Sequence, residues 1–224
     1  MAQDYNWLVA RVTSFMEGRS DIAAEIPGWI ALCEAHLNRE LKTRRQIRRA
    51  TATIANEFED APADLVSVKS FDLATDPVER LQYLDPGNIA RLKGDESLIR
   101  SDLAAEFGAN EGPPKWYSLV GTQFQFFPAP LSVSYASELT YWARIPALTV
   151  DSPTNWLLDT HPDVYLHGTL MYGAQWARDD GMEGDASQRF LAAISSANAA
   201  DPVETEKSTL RVEPMLRLRR SFYR

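Results

Sequence analysis

Apolar residues recur at helical spacing near both ends of this 224-residue chain and at alternating spacing through its middle. Leu8, Val9, Val12, Phe15 and Met16 fall on one helical face, Asp4 stands where an N-cap belongs, and Gly18 is placed to stop the helix. A second helix is predicted from Pro27, because proline's missing N–H costs nothing in a first turn. Its stripe is Ile26, Ile30, Cys33, Leu37 and Leu41. From Thr51 the pattern changes, with β-prone Thr51, Thr53 and Ile54, a turn at Pro62, and alternation from Leu65 to Leu73 through Val66, Val68 and Phe71. Leu81 to Leu84 is predicted as a short strand and Pro86 as the start of a helical turn. Residues 93–113 hold Gly94, Gly108 and Gly112 among many charges, which reads as a loop.

Trp116–Leu119 and Gln123–Phe127 flank a Gly-containing turn at 120–122, the pattern of a β-hairpin. Pro128 and Pro130 end its second strand by removing ladder donors. Residues 135–145 give another aromatic strand, stopped by Pro146. Helical spacing returns from Pro162 to Arg178, with Val164, Tyr165, Leu170, Met171 and Ala174 on the buried face. Phe190, Leu191, Ile194 and Ala197 mark a fourth helix, separated from the third by Gly181 and Gly184. The expected fold is α+β and mainly helical. A helical bundle from residues 1–49 and 149–206 would carry a β-rich insertion over 50–148, between helices two and three. Residues 207–224 would form an extended basic docking tail.

Charge sharpens this picture. The net charge is −8, but residues 207–224 sum to +5 and the other 206 residues to −13. An acidic body with a basic terminal strip implies an acidic partner for the strip. Within it Leu216, Leu218 and Phe222 interleave with Arg217, Arg219 and Arg220, followed by Tyr223 and Arg224, and Arg211 lies upstream. Extended alternation places arginines on one side and apolar groups on the other, a strip suited to adding a strand to a partner's sheet. The plainer alternative is a frayed, solvated terminus. A net acidic chain also argues against a general nucleic-acid coat, which needs a basic surface. No apolar run approaches the roughly 20 residues that span a bilayer, and no signal-peptide pattern opens the chain. The expectation is a soluble protein, with no membrane partner, made in a reducing cytoplasm.

Candidate chemistry is sparse. Cys33, the only cysteine, lies three residues from His36 on a helix, but it sits on the apolar stripe, where cysteine packs as a small hydrophobe. Asp163 and His167 stand at i and i+4, with His161 outside the helix start, and a third helical ligand at matching spacing is missing. Asp179, Asp180, Glu183 and Asp185 lack the spacing of a calcium loop and read as solvated charge. Phosphate loops, nucleophile elbows and His-Glu-x-x-His are absent. The expectation is no enzyme, no metal and no cofactor. Aromatic residues concentrate instead between Trp116 and Trp142, where Trp116, Tyr117, Tyr141 and Trp142 are candidates for a subunit interface alongside core packing. Arg44, Arg45, Arg48 and Arg49, in the basic run after the second helix, join them as interface candidates. Part of that run is also explained by favourable interaction with a helix C-terminus.

Three stretches resemble the head–tail adaptor (connector) proteins of tailed bacteriophages. They are Pro-Lys-Trp-Tyr-Ser-Leu-Val-Gly followed by Phe-Phe-Pro-Ala-Pro, then Tyr-Trp-Ala-Arg-Ile-Pro-Ala-Leu, then Asn-Trp-Leu-Leu with His-Pro-Asp-Val-Tyr-Leu-His-Gly-Thr-Leu. The early Glu-Ala-His-Leu-Asn-Arg-Glu-Leu helix fits the same order. The resemblance implies a structural virion protein at the head–tail junction, forming a ring of about twelve subunits beneath the portal protein. It further implies a platform for a nozzle or tail-tube protein, DNA passing through without sequence-specific binding, and a portal-docking role for the C-terminal tail. A DNA-binding or packaging accessory protein, using Arg39 to Arg49 and the tail, is the alternative.

Overall fold

The computed structural model describes residues 3–17, 21–94, 111–130 and 133–202. Two helices open the chain, α1 (Tyr5–Phe15) and α2 (Ile26–Glu40). Asp4 Oδ1 accepts a hydrogen bond from Trp7 N at 2.7 Å, which satisfies one of the amides a helix start leaves unpaired. The predicted stripe of α2 is buried throughout, with Ile26, Cys33 and Leu37 at zero exposure. A 3-10 turn (Arg44–Gln46) then leads into β1 (Ile47–Ile54), β2 (Phe58–Asp60), β3 (Leu65–Leu73), β4 (Glu79–Arg80) and β5 (Gln82–Tyr83). After α3 (Pro86–Gly94) come β6 (Trp116–Val120), β7 (Gln123–Phe127) and β8 (Tyr135–Ala143). Among the described residues, α4 (Trp156–Thr160), α5 (Pro162–Ala177) and α6 (Asp180–Ala200) follow.

The strands form two four-stranded sheets, ordered β1-β8-β3-β4 and β2-β7-β6-β5. β1 and β3 both pair antiparallel with β8. β6 and β7 make the predicted hairpin, turned at Gly121, whose φ of +63° is the left-handed conformation glycine adopts without strain. The sheets pack face to face. Phe71 of the first sheet meets Tyr117, Phe124 and Phe126 of the second at ring separations of 5.1–5.4 Å. Ile54, Leu73, Leu139 and Tyr141 complete this core.

This arrangement corrects the expected fold. Strands are central to the molecule, which is not a mainly helical bundle carrying one β-rich insertion. Two sheets with their own aromatic core occupy the middle of the chain, and α3 is a further helix within it. The physical reason lies in the alternation of Phe124 with Phe126 and of Leu139 with Tyr141, which gives each sheet an apolar face to bury on the other.

The helices share a second core, centred on α5, which packs against α1, α2, α4 and α6. Gly168 of α5 lets α2 and α6 approach, because a Cβ there would collide with Cys33 Sγ and the Phe190 ring. The break between α5 and α6 is not made by Gly181 and Gly184, which lie inside α6. Arg178 adopts the left-handed conformation, and Asp179 Oδ1 restarts the helix by accepting from Met182 N at 3.0 Å. The basic run is also displaced from its predicted helical setting. α2 ends at Glu40, so only Arg39 lies in its last turn, and Arg48 and Arg49 lie on β1.

Candidate functional site

Most of the basic run is spent on ion pairs within the chain. Arg44 Nε lies 2.6 Å from Asp201 Oδ1, and Arg45 Nε 3.9 Å from its other oxygen. Arg48 pairs with Asp64 at 2.8 Å, and Arg49 makes a two-point contact with Glu138 across the β1–β8 ladder. The arginines themselves are exposed, so each pair adds little to stability. Their consequence is local. Asp201 is the C-cap of α6, and the Arg44 contact fastens it to the turn that precedes β1.

Two more contacts fasten the same place. Asn198 Oδ1 accepts from Lys42 N at 2.8 Å, and Pro202 bridges antiparallel to Thr43. Residue 202 is therefore held against the entry of β1. The basic tail, with Arg211, Leu216, Arg217, Leu218, Arg219, Arg220, Phe222, Tyr223 and Arg224, lies outside the described residues, as does most of the 93–113 loop. Its point of departure is a fixed one.

The aromatic candidates divide. Tyr117 and Tyr141 are buried in the core between the sheets. The Tyr141 hydroxyl donates to Asp64 Oδ1 at 2.9 Å, and burial, then that hydrogen bond, pushes its pKa up. Burial does the same to Tyr117, with neighbouring Tyr83 adding to it. Trp116 and Trp142 are half-buried. Trp116 stacks on Phe127 at 6.0 Å, and Trp142 sits opposite Ile47 on β8, lining a groove shared with Arg39 and Lys42 of the α2 end. The eight interface candidates thus do not form one surface.

A polar cluster missed at the sequence level ties the segment after β8 into the helical core. Glu34 of α2 accepts from Leu148 N at 2.7 Å and from the Tyr165 hydroxyl at 3.0 Å. Asn155 donates to that hydroxyl at 2.7 Å and to Pro146 O at 2.8 Å, while its Oδ1 caps α4 through Leu158 N. Asn38 Oδ1 accepts from Ile145 N at 2.9 Å. The segment that leaves β8 is thereby tied to α2. Burial raises the Glu34 pKa, and the hydrogen bonds from Leu148 and Tyr165 oppose it. Only the polar positions of Glu34 and Asn38 beside an apolar stripe signalled this.

The remaining titratable candidates have local partners. Burial pushes the Cys33 thiol far up, and His36 has its own partner, with Nδ1 3.2 Å from the Tyr172 hydroxyl. Desolvation, then nearby Arg189, lowers the His167 pKa. Glu183 accepts from Gln175, and Asp185 pairs with Arg189. Among the described residues no three His, Cys, Asp or Glu side chains group to hold a metal, and no helix is long and apolar enough to cross a membrane.

No curated protein matches the chain closely enough to count as a relative. A family model, described as the SU10 adaptor protein, matches residues 3–213. That match covers both sheets, every described helix and the fastened start of the tail. The chain belongs to the SU10 adaptor family and is a structural adaptor protein of a bacteriophage.

Proposed function

We propose that this adaptor acts at the head–tail junction of the virion, as one subunit of a ring of about twelve copies beneath the portal protein. The ring extends the DNA channel and presents a platform to a nozzle or tail-tube protein. The C-terminal tail is the element that docks on the portal. The family match over residues 3–213 carries this reading.

Several features support it. A tail rooted by Asp201 and Pro202 leaves the body at a defined point, as a docking strip requires. Large apolar side chains stay exposed on several elements, among them Leu32, Val66 and Leu191, which suits a subunit that buries surface on assembly. The acidic body suits a conduit that must not grip phosphate. Engagement of Arg44, Arg45, Arg48 and Arg49 with carboxylates counts against the DNA-binding alternative. Arg48, Arg49, Trp116 and Trp142 remain candidates for contacts between copies.

Deleting residues 209–224 tests the docking element. The shortened protein should keep its circular dichroism and melting temperature but fail to co-migrate with portal rings. Normal association by the shortened protein would remove the tail from the docking role.

A further inference from the structure

The sandwich is open along one side. β1 is an edge strand, paired with β8 in unbroken register from Ile47 to Ile54 and with no strand on its other flank among the described residues. It has no proline and no bulge, and its charges, Arg48 and Arg49, lie near its start, leaving Ala50 to Ile54 without an edge-protecting device. β2, three residues long, is the edge of the facing sheet on the same side. Between them lies a cavity of about 240 Å³, with Ala50 and Ala52 of β1 above Phe71, Phe124, Phe126 and Leu139. A cavity of about 150 Å³ already accepts a benzene molecule, so this one has room for aliphatic side chains. Glu59 and Asp60 stand at its rim.

A strand added to β1 would turn alternate side chains into this cavity, where apolar groups fit between the sheets and positive charge suits the acidic rim. Residues 216–223 of this chain read Leu-Arg-Leu-Arg-Arg-Ser-Phe-Tyr, eight residues for the eight of β1, with Leu216, Leu218 and Phe222 on one side and Arg220 among them on that side, where the acidic rim can take it. Residues 216–224 hold four arginines and no acid. Their attachment point also fits, since Pro202 is held at Thr43, four residues before β1 begins. The 13 residues from 203 to 215 span up to about 45 Å when extended, ample to reach along β1.

We propose that residues 216–223 add a strand to the open edge of β1 and seat Leu216 and Leu218 in the cavity between the sheets. The strip has one receptor on this chain before it meets any other protein. The further step, that a portal must draw the strip out of this seam, rests on the docking reading above.

Hydrogen exchange on the full-length protein, without portal, tests the receptor. The intact chain is compared with a Leu216→Asp/Leu218→Asp variant, with β8 and α5 amides as internal controls for folding. The β1 amides that do not bond to β8 should exchange roughly tenfold faster in the variant, while the controls stay unchanged. Ala52→Trp, which fills the cavity from β1, should give the same release without touching the tail. Light scattering on the same samples assigns the strip to its own chain if the protein is monomeric and to a neighbouring copy if it is not. Equal β1 exchange in the intact chain and both variants would overturn the proposal while leaving portal association free to succeed or fail on its own.

Discussion

Cys33 and Gly168 meet where α2 crosses α5, and their fit shows how little space the helical core leaves. A Cβ at position 168 would overlap Cys33 Sγ and stand 2.7 Å from Phe190 Cε2, so neither neighbour escapes without moving. Gly168→Ala should cost about 1–3 kcal/mol, a fall in melting temperature of about 2–12 °C. Gly184→Ala is the contrast, since its Cβ would meet nothing within 4 Å. It should be neutral or raise the melting temperature slightly, because alanine restricts the unfolded chain. Glu34 supplies a pH signature. Its folded pKa lies above the ordinary 4.5, mainly through burial, so the folded state holds the proton more tightly than the unfolded one. Stability from this residue is full below about pH 4.5 and falls as pH rises towards the folded pKa. Glu34→Gln, which keeps an acceptor for Leu148 N and Tyr165, should flatten that decline. Melting curves from pH 4 to 8 would show the variant gaining on the natural protein as pH rises, and parallel curves would contradict the assignment. Cys33 was legible as core from its place on the stripe. Glu34 was not, because a carboxylate beside a stripe reads as solvent-facing until the β8 exit packs over it.

Elements were legible wherever periodicity and punctuation agreed. Leu65–Leu73 forms β3 at the predicted bounds, and the β6–β7 hairpin turns at the predicted glycine. The Asp4 cap and the α2 stripe also follow local rules, which need no tertiary partner. Failures came where a local cap outweighs a breaker and where a long-range pairing decides. Gly181 and Gly184 look like breakers, yet the Asp179 cap carries α6 through both. The number of strands and their division between two sheets depend on pairings such as β1 with β8, far apart in sequence. No window of sequence contains them. Asp179→Ala isolates the cap. It should cost about 0.5–2 kcal/mol and fray the first turn of α6, measurable as faster exchange at Met182 and Glu183 with β8 unaffected. If exchange there does not change, the Arg178 turn alone starts the helix.

At the scale of the whole molecule, the helices and the sheets pack two separate cores, the Glu34–Tyr165–Asn155 cluster holds the segment after β8 in the helical one, and the tail root is pinned where the helices meet β1. A subunit built this way can present helical and sheet surfaces to different neighbours, as a closed ring demands. The charge distribution was legible from composition alone, and it separates an acidic body from its basic strip. Of the aromatics that suggested a subunit surface, most went into the core between the sheets, and that burial depends on the pairing of two sheets that no stretch of sequence displays. The most direct test mixes the purified full-length protein with the portal ring of its phage and weighs the product by native mass spectrometry. The expected product is a portal ring carrying a fixed complement of subunits, about twelve, with few partly filled species. Portal rings that retain their own mass beside free adaptor, at concentrations well above those in an infected cell, would contradict it.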